Sequence, residues 1–374
     1  MEKLDPKKVM LEHSKAKVEL YGRYLSTFLN IISRDKHTEK IYLYDLFCGE
    51  GMYDNGEKGS PIVALEVIKN HYFENNNSCP RIKVLFNDVD EIKIKKLKEH
   101  CSKIFQPNNS EIVFESKNYS DLIEIAIREI TQLSIDEKAI IFIDPYGYKD
   151  IRILQIEKLL KGNHSEVLLF LPISQMYRYA NVAMRKEITG TEYLVELITE
   201  IFQSNIPRFD SPEDFINKIK ESLKVTLKNF FVDTFRLQRD PQNVYSLFFF
   251  TSHIRGFEKM LEAKWKIDSE QGKGFRLEKT GDLFSSVVHS NYPSLLESLL
   301  RSDYRISNRD IYEFGLRNGY LPTHTIQVFR WWQSEKKMEV EDDNGLKVRN
   351  GWFYLDYKYH SPRWEKKVYF KLIA

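Results

Sequence analysis

Apolar residues follow two different periods along the first 250 or so positions. Val18, Tyr21, Leu25, Phe28 and Ile32 recur every three or four residues, which puts one apolar face on a helix over 13–33. Short unbroken apolar runs then take over, at 41–46, 81–86, 111–114, 139–143 and 166–171. Each has the length of a buried strand. Helical stretches separate them. One runs from Ser60-Pro61 to about 71, with Ser60 as N-cap and Pro61 at the first helical position; the others are at 91–104, 120–134 and about 151–161. Strands alternating with helices predict an α/β fold with a doubly wound parallel sheet.

The pattern changes after Pro172. Residues 175–230 are mostly helical, and two strands follow at 230–237 and 244–250, joined by the turn at 239–243. That antiparallel pair would be the sixth and seventh strands of the sheet, with 175–230 a helical insertion placed to cover its cleft. A helix and a linker fill 255–285. From Tyr292 a separate module begins: helices at 295–300, 308–317 (N-capped by Ser307) and 322–333, then short strands at 338–341, 346–349 and 352–355 about the turn Asp343-Asn344-Gly345. Three helices and a hairpin are the order of a winged helix. The expected domains are 1–285 and 290–374.

Composition narrows the class. A chain of 374 residues, 42% hydrophobic, is long enough for two or three domains with a real core. The balance of 56 basic against 54 acidic residues neither demands nor excludes a nucleic-acid partner, so any basic surface must be local. Cys48, Cys79 and Cys101 have no C-x-x-C spacing, which argues against a zinc site or a disulfide framework and for a reducing cytoplasm. The charged N-terminus lacks a signal-peptide core, and no window approaches the ~20 apolar residues of a membrane span.

Candidate chemistry sits at the strand ends. The first strand ends in Asp45 and the small-residue loop Cys48-Gly49-Glu50-Gly51. A carboxylate there can accept from an ammonium, and Gly49 and Gly51 let a ligand approach the backbone. A plain strand-to-helix turn has the same look. Asp88 follows the second strand, where doubly wound folds bind ribose hydroxyls; Asp90 reads better as the cap of the next helix. Asn118-Tyr119, after the third strand, lies where an adenine edge would pass, or is a surface loop. The fourth strand ends in Asp144-Pro145-Tyr146-Gly147. The Asp144 side chain and the Pro145 carbonyl could accept from an amine and turn its lone pair toward a methyl donor, while Tyr146 stacks on a flat base. Amino-methyltransferases of nucleic-acid bases commonly carry Asp or Asn, two prolines and an aromatic residue; here the second proline is absent. Together these ends are what a class I S-adenosylmethionine (SAM) methyltransferase needs. His13, Lys15 and Lys17 read from spacing alone as a solvated helix end. In the C-terminal module, Phe329, Arg330, Trp331 and Trp332 are core or a nucleic-acid face. Lys336, Lys337, Lys347 and Arg349 would favour phosphate, and Glu339, Glu341, Asp342 and Asp343 oppose it.

Several of these residues recur in one pattern. His13-Ser-Lys-Ala-Lys17 with Tyr24-Leu25, Asp45 to Tyr53, Gly59-Ser-Pro61 with Ala64, Phe142 to Gly147, and Thr251-Ser-His253 with Gly256 and Met260 resemble the three-Cys-motif partner protein (TcmP) family, over most of 10–275. The resemblance implies a class I methyltransferase fold with SAM as cofactor. It adds His13, Lys17, Phe47 and Ser60 to Asp45, Gly49, Gly51, Asp88, Asn118 and Tyr119 as cofactor contacts. It also implies a partner with a three-cysteine motif, which is not a site in this chain. A fainter likeness is to ribosomal-RNA adenine-N6 methyltransferases with an N-terminal His and Lys near the cofactor. The expected function is methylation of an amine on a nucleic-acid base. The competing class is a non-catalytic binding protein on the same fold. An NAD oxidoreductase is disfavoured because position 54, an Asp, breaks G-x-G-x-x-G.

Overall fold

A computed structural model describes residues 10–35, 37–74, 80–104, 108–183, 192–203, 206–240, 243–269, 272–275, 291–302, 305–360 and 367–373. They fall in two compact units, one built on residues up to 267 with 273–275, the other on residues from 291 onward.

The first unit runs α1 (Glu12–Ile32), β1 (Lys40–Asp45), α2 (Ser60–Glu74), β2 (Arg81–Asn87), α3 (Glu91–Cys101), β3 (Ser110–Glu115), α4 (Tyr119–Thr131), β4 (Glu137–Ile143), α5 (Ile153–Leu160) and β5 (Ser165–Leu171). It continues with α6 (Ile173–Ala183), α7 (Glu192–Phe202), α8 (Pro212–Thr226), β6 (Phe231–Asp240), β7 (Asn243–Thr251), α9 (Ile254–Ile267) and β8 (Gly274–Phe275). The sheet order is β3-β2-β1-β4-β5-β7-β6-β8. Strands β1 to β5 are parallel to one another, and β7 runs against both β5 and β6. This is a Rossmann-like mixed sheet.

The expected seven strands become eight. Gly274 has no Cβ to collide with Arg236, so β8 lies along the outer edge of β6 for two residues. So short a strand leaves no periodicity in a stretch that reads as linker. Pro241 and Gln242, at the tip of the expected β6–β7 turn, lie outside the described residues.

The apolar runs are continuous because both faces of the sheet are covered. On one side Tyr21 of α1 stacks on Phe142 at 4.6 Å, and Tyr24 meets Phe249 edge-on. On the other, Ile141, Ile143, Leu169 and Phe248 pack against α4, α5 and the inserted α6 to α8. Most of the insertion's apolar surface is therefore spent on the sheet face. Register sets Asp45 level with Phe86 and Phe142, so the carboxyl ends of β1, β2 and β4 lie side by side.

At the opposite end of the sheet, the buried Glu166 accepts from Tyr24 Oη at 2.5 Å and Thr251 Oγ1 at 2.8 Å. A Cβ on Gly256 would collide with its carboxylate. This network ties α1, β5, β7 and α9 together and accounts structurally for Tyr24, Thr251 and Gly256. Burial pushes the Glu166 carboxyl up to about 7, against the hydrogen bonds. A raised folded pKa means that folding penalises the ionised form. Stability is greatest below the ordinary value of 4.5 and falls to a plateau above about 7. Glu166→Gln is therefore expected to raise the unfolding free energy at pH ~8 by on the order of 1–3 kcal/mol, and with it the melting temperature, with the gain shrinking toward pH ~5. Thermal melts across that range check it; a variant less stable than wild type at high pH would contradict it.

The second unit contains α10 (Tyr292–Ser302), β9 (Ile306–Ser307), α11 (Asn308–Arg317), α12 (Pro322–Ser334), β10 (Met338–Asp342), α13 (Tyr357–His360) and β11 (Val368–Leu372). Ser307 caps α11 as expected, in a capping box with Asp310. The small antiparallel sheet has the order β10-β11-β9. Two expected strands are corrected. Residues 346–348 give β10 only two rungs, Asp342 N to Leu346 O and Val348 N to Val340 O, before Gly351 turns the chain away at φ +83°. Residues 352–355 form no strand because Tyr354 has a φ of +52°, which breaks an extended ladder. Their place beside β10 is taken by β11. No helix among the described residues is long and apolar enough to cross a membrane.

Candidate functional site

Asp45 is fully buried at the tip of β1. Its Oδ2 accepts from Ser60 Oγ at 2.7 Å, and its Oδ1 has no hydrogen-bond partner among the described residues. Burial pushes the carboxyl up to about 7; Ser60 opposes the rise, Asp144 adds to it, and Lys17 opposes it. Ser60 is thus not the N-cap expected. It is the first residue of α2, and Gly59 stands at the cap, where its carbonyl accepts from Val63 N. Gly59 also lies so close to Gly51 that a Cβ would sit 3.1 Å from the Gly51 carbonyl oxygen. Tight backbone contact explains Gly59-Ser60-Pro61 better than capping does.

The two loop glycines differ. Gly51, at φ +82°, has Leu97 and Ile62 where a side chain would go, so packing as well as conformation requires it. Gly49, at φ +63°, opens on empty space. Cys48 N donates to Asn87 O and fixes the loop to β2. The Asn87 side chain bonds the carbonyls of Leu46 and Lys117 and accepts from Lys117 N at 2.9 Å, stapling the ends of β1, β2 and β3.

A cavity of about 490 Å³ opens over these tips. Phe47, Asp88, Asn118, Tyr119, Pro145 and Tyr146 line it, and the insertion contributes Gln175 and Tyr193. Asp88 is 2% exposed and pairs with Lys93 at 3.2 Å. Asp90 caps α3, as its spacing suggests, by accepting from Ile92 N and Lys93 N. Phe47 and Tyr119 stack at 5.1 Å. Asn118 precedes α4 and makes no side-chain cap, so its amide stays exposed at the wall.

His13, Lys17, Asp45, Gly49, Gly51, Ser60 and Asp144 are not among the walls of that cavity. They gather beside it. Lys17 Nζ lies 2.5 Å from Asp144 Oδ2 and 4.3 Å above the ring of Phe170. Phe170 stacks on Tyr245, and Tyr245 on His13, so the start of α1 is docked on the ends of β5 and β7. Lys17 is thus the partner of a strand-tip acid, and only Lys15, paired with Glu12 and Glu57, fits the solvated end.

Sequence reasoning missed Lys93, Asn87 and Tyr53. Lys93 Nζ donates to Tyr146 Oη at 2.5 Å as well as to Asp88, linking two walls of the cavity. A signal existed: a lysine in the first turn of a helix opposes the dipole and needs an acid elsewhere. Tyr53 is in the electrostatic field of Lys17, Asp144 and Tyr146; burial raises its pKa, with Lys17 opposing. Cys48 and Cys101 are buried free thiols, and Cys79 lies outside the described residues. No metal-binding cluster occurs among the described residues.

No family model matches the chain, and no curated protein matches it in sequence. Solved structures do. Trm1 from Pyrococcus horikoshii with S-adenosyl-L-methionine is 14% identical, with a TM-score of 0.34, covering 71% of this chain. This chain spans 65% of that protein. Spermidine synthase with the transition-state analogue AdoDATO is 10% identical, at 72% and 67% coverage and a TM-score of 0.33. The O-methyltransferase TomG from Streptomyces achromogenes, in complex with SAM, is 10% identical, at 62% and 79% coverage and a TM-score of 0.32. Likenesses this distant bear on neither substrate nor chemistry.

Proposed function

We propose that the first unit, within about 1–285, is a SAM-dependent methyltransferase whose acceptor is an amine on a nucleic-acid base. The observation that carries this reading is the row of acids on neighbouring strand tips, each in a different state: Asp45 buried with one oxygen unpartnered, Asp88 on the cavity wall, Asp144 held by Lys17. These residues fit the cofactor. Asp45 Oδ1 suits an ammonium, Asp88 suits a ribose diol, and the Phe47–Tyr119 stack with Asn118 suits an adenine. The open side of Gly49 leaves room at the backbone.

Bound there, SAM would supply an electrophilic methyl group. The chain's own residues do the positioning. Asp144 and the Pro145 carbonyl accept the two N–H groups of the acceptor amine, which turns its lone pair away from them. Lys17 fixes the direction of the Asp144 carboxylate and acts through it. Tyr146, 77% exposed, offers its ring to a flat base. Alignment supplies most of the rate, since a neutral amine needs little acid–base help.

The ion pair of Asp144 with Lys17 also favours a second reading, in which SAM is bound but nothing is methylated. Labelled SAM incubated with cellular DNA, RNA and protein separates the two. Label in nucleic acid is expected. Label only in protein would sink the base-amine acceptor, and none anywhere, with SAM bound, would favour the second reading.

For the second unit, about 290–374, we infer a winged-helix-like domain. Support comes from the order helix, short strand, two helices, strand, one-turn helix, strand, with β11 between β9 and β10. A nucleic-acid partner suits both units. A three-Cys-motif protein as partner rests on the sequence resemblance alone.

A further inference from the structure

The segment between β10 and β11 carries chemistry that methyl transfer does not use. Arg349 lies 5.8 Å from the ring of Trp352, and Trp352 meets Tyr354 edge-on at 6.0 Å. Tyr354 meets Tyr359 edge-on at 5.1 Å, and Lys358 Nζ lies 4.7 Å above Tyr359. The result is a ladder of three rings with a cation at each end. Trp352 is 48% exposed, and Arg349 and Lys358 are exposed. Neither cation makes an ion pair among the described residues.

The ladder is held rigidly. Phe353 and Leu355 are buried on either side of Tyr354, and Phe353 packs edge-on against Phe329 at 5.6 Å. Tyr354 takes a left-handed φ of +52°, which bulky residues rarely adopt. Asn308, 2% exposed, clamps it: its Nδ2 donates to the Tyr354 carbonyl at 3.0 Å while its Oδ1 accepts from Val368 N. Gly351 N donates to Gln333 Oε1, which anchors the other end to α12. A backbone held against its preference, with an exposed indole and two exposed cations, is a preorganised surface.

We propose that residues 349–359 form a stacking platform for single-stranded nucleic acid. Rings with cations at the ends of the row match flat bases joined by phosphates. Paired bases in a duplex have no free faces to offer. The proposal shares with the methyl-transfer reading only the class of partner, and it concerns other residues.

Fluorescence anisotropy of the full chain with labelled oligodeoxythymidylate, oligouridylate and a duplex of equal length tests it. Wild type is expected to bind a single strand better than the duplex, and the better of the two strands identifies DNA or RNA. Trp352→Ala with Tyr359→Ala is expected to weaken that binding ~10-fold or more. Arg349→Ala with Lys358→Ala, both on the surface and safe for folding, is expected to flatten its salt dependence. No binding, a preference for the duplex, or variants that bind like wild type would overturn the platform. SAM titration of the same variants keeps the readings apart, because neither change should alter SAM affinity.

Discussion

Asp45→Asn is expected to weaken SAM binding by roughly one to two orders of magnitude while making the ligand-free protein more stable. Both effects come from one fact. Asp45 is fully buried with one oxygen unpartnered, and its carboxyl titrates near 7 where 3.8 is ordinary. Folding thus penalises the charge. Stability is highest below about 3.8, falls as pH rises, and levels off above about 7. That interval corresponds to at most on the order of 4 kcal/mol, and the asparagine variant, which never charges, recovers part of it at pH ~8. Binding goes the other way. A charge-assisted hydrogen bond to a ligand ammonium is worth about 1.5–3 kcal/mol, so affinity should fall roughly 10- to 150-fold. In wild type the ammonium selects the ionised carboxylate. Affinity should therefore drop about tenfold per pH unit below about 7, and decline again above ~8 as the ligand amine deprotonates. Burial sets the midpoint, with Ser60, the Phe47 backbone and Lys17 pulling it down and Asp144 pushing it up. Calorimetric titration and thermal melts across pH read both sides. A variant that binds SAM like wild type removes Asp45 from the site; one that binds nothing and is also less stable makes it a structural acid. Glu166→Gln is the matched control, since it relieves a similar buried charge at the far end of the sheet and should leave SAM affinity unchanged.

Asp144→Ala is expected to slow methyl transfer by roughly 100- to 1000-fold with SAM affinity nearly unchanged. The acceptor amine would lose one of its two acceptors, so its lone pair would no longer be held in line. Removing Asp144 also strands Lys17, which is only 10% exposed, and leaving one partner of such a pair alone destabilises. Lys17→Met with Asp144→Asn avoids that cost, because it removes both charges and keeps the shape. In that double variant Asp45 loses both a repelling acid and an attracting lysine, so SAM affinity should move little. Single-turnover rates with labelled SAM separate the step from binding. Wild-type turnover in Asp144→Ala would show that the fourth strand tip does no chemistry.

The sheet was legible because its strands are covered on both faces, which writes them as unbroken apolar runs, three of them ending at or next to an acid at the carboxyl tip. Asp45, Asp88 and Asp144 were found that way. What joins them was not legible. Lys93 meets Tyr146 across 53 positions, Asn87 reaches Leu46 across 41, and Lys17 reaches Asp144 across 127. Such contacts leave no local period. The second sheet of the C-terminal unit was misread for a related reason. Trp352 to Leu355 alternates outward and inward like a strand, yet the left-handed Tyr354, fixed by Asn308, makes it a platform instead. The strand that pairs with β10 comes later, at Val368–Leu372.

On this reading one sulfonium cofactor lies across the tips of β1, β2 and β4. Isothermal titration of SAM into the wild-type chain at pH ~7.5 tests it most directly. Saturable binding of one SAM per chain is expected, weakened by roughly one to two orders of magnitude in Asp45→Asn and also weakened when Asp88 is replaced by Ala. No heat at saturating SAM, or heat indifferent to both substitutions, would contradict it.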